Sequence, residues 1–181
     1  MKGVVFTEFL EYVEECYSPE MADKIIATSS LCSYGVYTSV GTYPHQELVK
    51  LISALSTETG RQVPDLIHAF GKHLFGRLIR IYPMFLTGFS SSFELLRSVQ
   101  DQIHVKVRML YPDAELPTFE YQSNHPDQLI IIYRSKRPFK DLAAGMIEGC
   151  IEHFGEAITL TWDSSVQPGD AGVRFVLERK A

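Results

Sequence analysis

His104 sits on a long helical pattern with aliphatic neighbours on its own face, and no second histidine, cysteine or carboxylate follows at i+3 or i+4 to make a zinc site. A lone neutral imidazole in such surroundings suits the iron of a haem better than a bare ion. The second constellation is YRSKR, where Tyr133, Ser135 and Arg137 alternate. An extended backbone would turn this phenol, hydroxyl and guanidinium to one face. Three such donors can satisfy two carboxylates, the guanidinium bidentately. An imidazole for a metal and a clamp for carboxylates are the two ends of a haem. Each group has a blander reading when taken alone: a hydrogen-bonded helix histidine, and a strand end turned to solvent.

Positioning these groups requires helices first and strands later. Residues 2–17 carry Val5, Phe9, Tyr12, Val13 and Cys16 at helical spacing, with the glutamates largely off that stripe. Ser18-Pro19-Glu20 is a helix start, opening a second helix to about Thr28. Residues 31–43 have no helical period and read as a loop. A third helix runs from Pro44 to Gly60 on Leu48, Leu51, Ile52 and Leu55, and a fourth from Pro64 to Ile81 is apolar round much of its surface. The helix carrying His104 is predicted as one piece from Ser92, buried through Leu95, Leu96, Val99, Ile103, Val107 and Leu110, and ended by Pro112 and Pro117.

From Thr118 the period turns to alternation. Strands are predicted over 118–122 and 128–135 around a turn at 123–127. A helix follows over 139–154 with Leu142, Met146, Ile147, Cys150 and Ile151 inward. Two more strands, 156–162 and 172–178, flank a turn at 167–170. The fold class is therefore α+β, a helical N-terminal part of residues 1–63 packed on haem-carrying helices and a β-β-α-β-β part over 64–181, all within one domain.

The 181 residues can bury a sizeable core, and 45% hydrophobic with 22% charged residues is ordinary for a globular chain. A net charge of −5, with no basic run longer than residues 134–137, argues against a nucleic-acid surface. Glu8, Glu11, Glu14 and Glu15 interrupt any apolar leader, and no run approaches a membrane span. The three cysteines, Cys16, Cys32 and Cys150, lack CxxC spacing and fit a reducing cytoplasm. His68 and His73 read as rim or hydrogen-bonded residues, Trp162 as core or interface, and Asp163-Ser164-Ser165 offers no nucleophile motif.

Met1-Lys2-Gly3, His104 followed by Tyr111-Pro112-Asp113 and Leu116-Pro117, and Tyr-x-Ser-x-Arg at 133–137 together resemble the haem nitric oxide/oxygen binding (H-NOX) domains, related to the haem domain of soluble guanylate cyclase. The resemblance covers nearly the whole chain. It implies haem b (iron protoporphyrin IX) with His104 as proximal iron ligand and Tyr133, Ser135 and Arg137 on the propionates. It also implies that Pro117 and Val5 press on the porphyrin and distort it. Oxygen-binding members carry a tyrosine five residues after the signature arginine, supported by a tryptophan and an asparagine. The corresponding positions here are Leu142, Phe9 and Leu74, none of which donates from its side chain. With Leu78 and Met146 they give an apolar distal pocket, so nitric oxide and CO are expected to bind and O2 to be excluded.

The resemblance further implies a sensor rather than an enzyme. Loss of the Fe–His bond on NO binding would let the porphyrin flatten and rotate the N-terminal part against the sheet part. The output would pass in trans to a histidine kinase, or to a diguanylate cyclase or phosphodiesterase. The alternatives are a haem enzyme such as a peroxidase, which would want a distal acid-base residue, and a haem-free adaptor with the same fold.

Overall fold

The computed structural model describes residues 1–122, 125–163 and 172–180. Seven α-helices and a four-stranded antiparallel sheet follow one another within these residues. α1 (Gly3–Cys16) starts where the Met1 ammonium donates to the Tyr43 carbonyl at 2.7 Å and Lys2 bridges Thr42. α2 (Pro19–Thr28) opens as its sequence requires: the Ser18 hydroxyl accepts the Met21 N–H, with proline at the first helical position. α3 (His45–Thr59) and α4 (Val63–Ile81) complete the helical half. Phe6, Phe9, Val13, Ile25, Leu48, Leu51, Leu55, Leu66 and Phe70 share one fully buried cluster there.

Two details of α1 differ from the apolar stripe. Cys16 is exposed, whereas Glu8 is buried, because the Arg77 side chain on α4 donates to its carboxylate and to that of Glu11. A buried carboxylate held by a guanidinium is tolerated where an unpaired one is not.

After a 3₁₀ turn at Pro83–Phe85, the predicted single helix over 92–110 arrives in three pieces: α5 (Ser92–Ser98), a π turn (Val99–Ile103) and α6 (His104–Leu110). The widened turn releases backbone groups to a strand. The Gln100 N–H donates to the Tyr121 hydroxyl at 3.3 Å, and the Gln100 side-chain oxygen accepts the Phe119 N–H at 3.1 Å. The register change turns Leu110 outward, 52% exposed, and leaves Val107 half-buried rather than inside.

The sheet order is β1-β2-β4-β3, with β1 Thr118–Gln122, β2 Gln128–Arg134, β3 Ile158–Asp163 and β4 Val173–Arg179. The predicted turns fall partly or wholly on residues 123–124 and 164–171, outside the described residues, as do Ser164 and Ser165. Leu129, Ile131 and Tyr133 join Val173, Phe175 and Leu177 in a second buried cluster with α5 and α7 (Lys140–Phe154). α7 supplies Ala144, Ile147, Cys150 and Ile151 to that cluster.

α4 and α7 form the spine between the two clusters, and glycine sets their distance. A Cβ on Gly71 would lie 2.4 Å from the Leu142 carbonyl oxygen, and one on Gly145 would lie 2.0 Å from that of His68. Only hydrogen fits at both crossings, so the helix backbones touch directly.

Candidate functional site

His104 is the first residue of α6, immediately after the π turn, and is 8% exposed. Its Nδ1 is buried without a hydrogen-bond partner. Burial, with the nearby Arg108 charge adding to it, lowers the imidazole pKa to about 4, so the ring is neutral around pH 7. The ring lies 5.4 Å from that of Phe119, which stands 5.6 Å from Tyr133 in the adjoining strand. Phe119 and Tyr133 are directly opposed in the β1–β2 register, so strand pairing ties the histidine's aromatic neighbour to the first residue of the Tyr-x-Ser-x-Arg set.

The Tyr-x-Ser-x-Arg residues do not lie along one strand as the alternation predicts. β2 ends at Arg134, and Ser135 to Arg137 bend away from the strand direction. Tyr133 is 6% exposed, while Ser135 and Arg137 are half-buried. Burial raises the Tyr133 pKa; the Ser135 hydroxyl bonded to it and the Arg137 charge pull the other way. The Ser135 oxygen accepts the Arg137 N–H at 3.1 Å and so fixes the bend. A pocket of about 390 Å³ opens here, lined by Glu115, Leu116, Thr118, Arg134, Ser135, Lys136 and Arg137.

On the helical side, Phe9 and Leu74 are buried, with Val5, Leu78, Leu142 and Met146 packed against their cluster. α1, α4 and α7 each supply two of these six side chains, and none of the six can donate a hydrogen bond. Phe9 also meets the Phe70 ring edge-on at 5.0 Å. Pro117 is half-buried just before β1.

The segment from Tyr111 to Glu115, which the sequence marks as a helix stop and as part of the family motif, reaches three parts of the molecule. Tyr111 and Tyr82 share a hydroxyl hydrogen bond of 2.8 Å. Asp113 accepts from Thr42 at 2.6 Å and pairs with Lys2 at 3.2 Å. Glu115 meets Arg137 through its carbonyl and its carboxylate. These partners are 22 to 111 residues apart in sequence, beyond the reach of any local pattern.

The donor set fits haem. A buried neutral imidazole with an unsatisfied nitrogen, a phenol–hydroxyl–guanidinium group beside a cationic pocket, and an apolar wall without donors match an axial ligand, a carboxylate clamp and a hydrophobic ring site. The weaker candidates go elsewhere: His68 pairs with Glu148 at 2.7 Å and lies 5.9 Å from Trp162, and the His73 ring lies 5.1 Å from that of Tyr12, tilted by 54°. No group of three or more His, Cys, Asp or Glu among the described residues could hold a metal ion by itself.

A family model described as Haem-NO-binding matches residues 2–162. The crystal structure of the Fe(II) unliganded H-NOX protein from K. algicida is similar over 100% of this chain and 97% of that one, at 38% identity and a TM-score of 0.91. The solution structure of the IWP-051-bound H-NOX from Shewanella woodyi in the Fe(II)CO ligation state is also 38% identical, covers 99% and 95% of the two chains and has a TM-score of 0.85. Soluble guanylate cyclase 89Db of Drosophila melanogaster is 25% identical over 95% of this chain, which spans 26% of that protein's length.

Proposed function

Because the chain belongs to the Haem-NO-binding family, the H-NOX domains, we propose that it is a sensor that holds haem b, binds nitric oxide and CO, and excludes O2. The observation that carries this is His104, a buried neutral imidazole with a nitrogen that no protein group satisfies. Haem held in this site would supply a ferrous iron able to bind a diatomic gas.

The chain's own residues then divide the work. His104 would hold the iron, and Tyr133, Ser135 and Arg137 would hold the carboxylates. Pro117, just before β1, and Val5, on α1, would press on the ring. Phe9, Leu74, Leu78, Leu142 and Met146 keep water and donors from the gas side. Binding of O2 to ferrous haem gains from a buried donor far more than that of NO or CO. Its absence forfeits about 1–3 kcal/mol, or about one to two decades in affinity.

A shift of His104 would move α6 and the Tyr111–Glu115 contacts behind it. Those contacts reach α1, the end of α4 and the exit of β2, so two states of this segment become two placements of the helical half against the sheet. The output we assign is a partner protein in trans, a histidine kinase or an enzyme that makes or degrades cyclic-di-GMP, in the cytoplasm. The three free cysteines suit a reducing compartment, and among the described residues no helix is long and apolar enough to cross a membrane.

The test is the absorption spectrum of the reduced protein before and after O2, CO and NO, repeated with His104→Gly. The expected result is a Soret band unmoved by O2, shifted by CO and NO, and lost or made dependent on added imidazole in the variant. A stable O2 complex would end the selectivity proposal, and protein that takes up no haem would end the sensor proposal.

A further inference from the structure

Arg137 already holds a carboxylate. One terminal nitrogen donates to the Glu115 carbonyl at 2.8 Å, and the other donates to the Glu115 side chain. The guanidinium is sheltered, with its side chain 16% exposed, whereas that of Glu115 is 79% exposed. Glu115 is also the only acid among the residues lining the adjoining pocket, where Arg134, Lys136 and Arg137 supply three cations.

We infer that Glu115 is a positioning residue of the cofactor site: its carboxylate occupies Arg137 before the cofactor enters, competes with a propionate for it afterwards, and so tunes how firmly haem is held. This rests on the haem reading above.

The physical case is one of like replacing like. A guanidinium presents its N–H groups in a fixed fork that matches one carboxylate edge at a time. The carbonyl contact belongs to the backbone and persists whatever side chain stands at position 115. The carboxylate contact does not, and an ion pair with one partner so exposed is weak and readily exchanged. A propionate brought to the same nitrogen is already tethered by the ring and by His104, so it competes at high effective concentration. Glu115 therefore loses the exchange but lowers the net advantage of winning it. Its other effect is on charge: Arg134 is paired with Glu120 at 2.7 Å, so with Glu115 neutral Lys136 and Arg137 face the two propionates without that competitor.

The experiment is haem transfer from the ferric protein to excess apomyoglobin, for the unaltered chain, Glu115→Gln and Glu115→Asp. Competition predicts slower haem loss by about two- to fivefold in Glu115→Gln, a difference that shrinks as salt rises, and a rate in Glu115→Asp close to that of the unaltered chain. A second arm uses apoprotein and iron-free porphyrins read by fluorescence. Glu115→Gln should tighten protoporphyrin IX but leave its dimethyl ester unchanged, because the ester has no carboxylate to compete with. Faster haem loss in Glu115→Gln would show that Glu115 holds Arg137 in place instead of competing for it, and would overturn the inference. So would equal rates, or an equal effect on the ester. Protein that shows no His104-dependent Soret band would instead sink the haem reading on which the inference stands.

Discussion

Leu142 stands at the first turn of α7, half-buried against the cluster that contains Phe9 and Leu74, and it is the position where a single oxygen atom would alter the chemistry most. Leu142→Tyr places a phenol on a wall otherwise made of hydrocarbon. The expected outcome is a reduced protein that forms an O2 complex in air-saturated buffer, with affinity raised by about one to two decades, while CO affinity changes little. Spectra recorded during O2 titration check it; a variant that loads haem and still ignores O2 would remove the missing donor as the cause of discrimination. Cys150 behaves differently from its surface counterparts: burial pushes its pKa up to about 12, whereas Cys16 and Cys32 are exposed. His104, Tyr133, Ser135 and Arg137 stood out in the sequence as candidates because residue type and short spacing mark them. Phe119 beside the imidazole and Glu115 on Arg137 did not, since a strand phenylalanine and a loop glutamate look ordinary until the chain brings them there.

At the scale of elements, the contact between α4 and α7 has no room for a methyl group. Gly145→Ala should push the helices apart at the His68 carbonyl and destabilise the fold by about 1–3 kcal/mol, read as a lowered midpoint in urea. A variant as stable as the parent would show that the crossing can open at no cost. The helices themselves were legible wherever apolar periodicity and caps agree, as at Ser18-Pro19 and along α4. The break between α5 and α6 was not. A π turn preserves the apolar character of the stretch and changes only its register. The groups that divert its backbone, Tyr121 and Phe119, lie 21 and 19 residues from Gln100. The bend after Arg134 escaped for a similar reason: alternation of residue types persists beyond the point where strand pairing stops.

At the scale of the whole molecule, Asp113 joins the start of α1 to the segment behind α6 through Thr42 and Lys2. Hydrogen bonds from Thr42 and then Lys2 hold its carboxyl below the ordinary value. The contribution of a carboxylate lowered in this way is complete above its ordinary pKa and fades as pH falls through the lowered one. Asp113→Asn should therefore loosen the start of α1 from the segment behind α6 at neutral pH, much as acid does in the unaltered chain. Amide hydrogen exchange would report it as faster exchange at residues 39–42 and 111–115, with helical circular dichroism unchanged. Unaltered exchange there would mean that the Tyr82–Tyr111 and Arg137–Glu115 contacts suffice to hold the segment.

The crossing of α4 by α7 also imposes an order in time. Gly71 meets Leu142, and the wall begun by Val5 and Phe9 is closed by Leu142 and Met146 from the far end of the chain. During synthesis, α1 to α4 can gather much of their own core before β1 exists, but the apolar wall lacks its last side until α7 has left the ribosome. On the proposed haem reading, cofactor loading follows translation of residue 154. A chain interrupted before that point leaves this aliphatic wall to water, and to other unfinished chains.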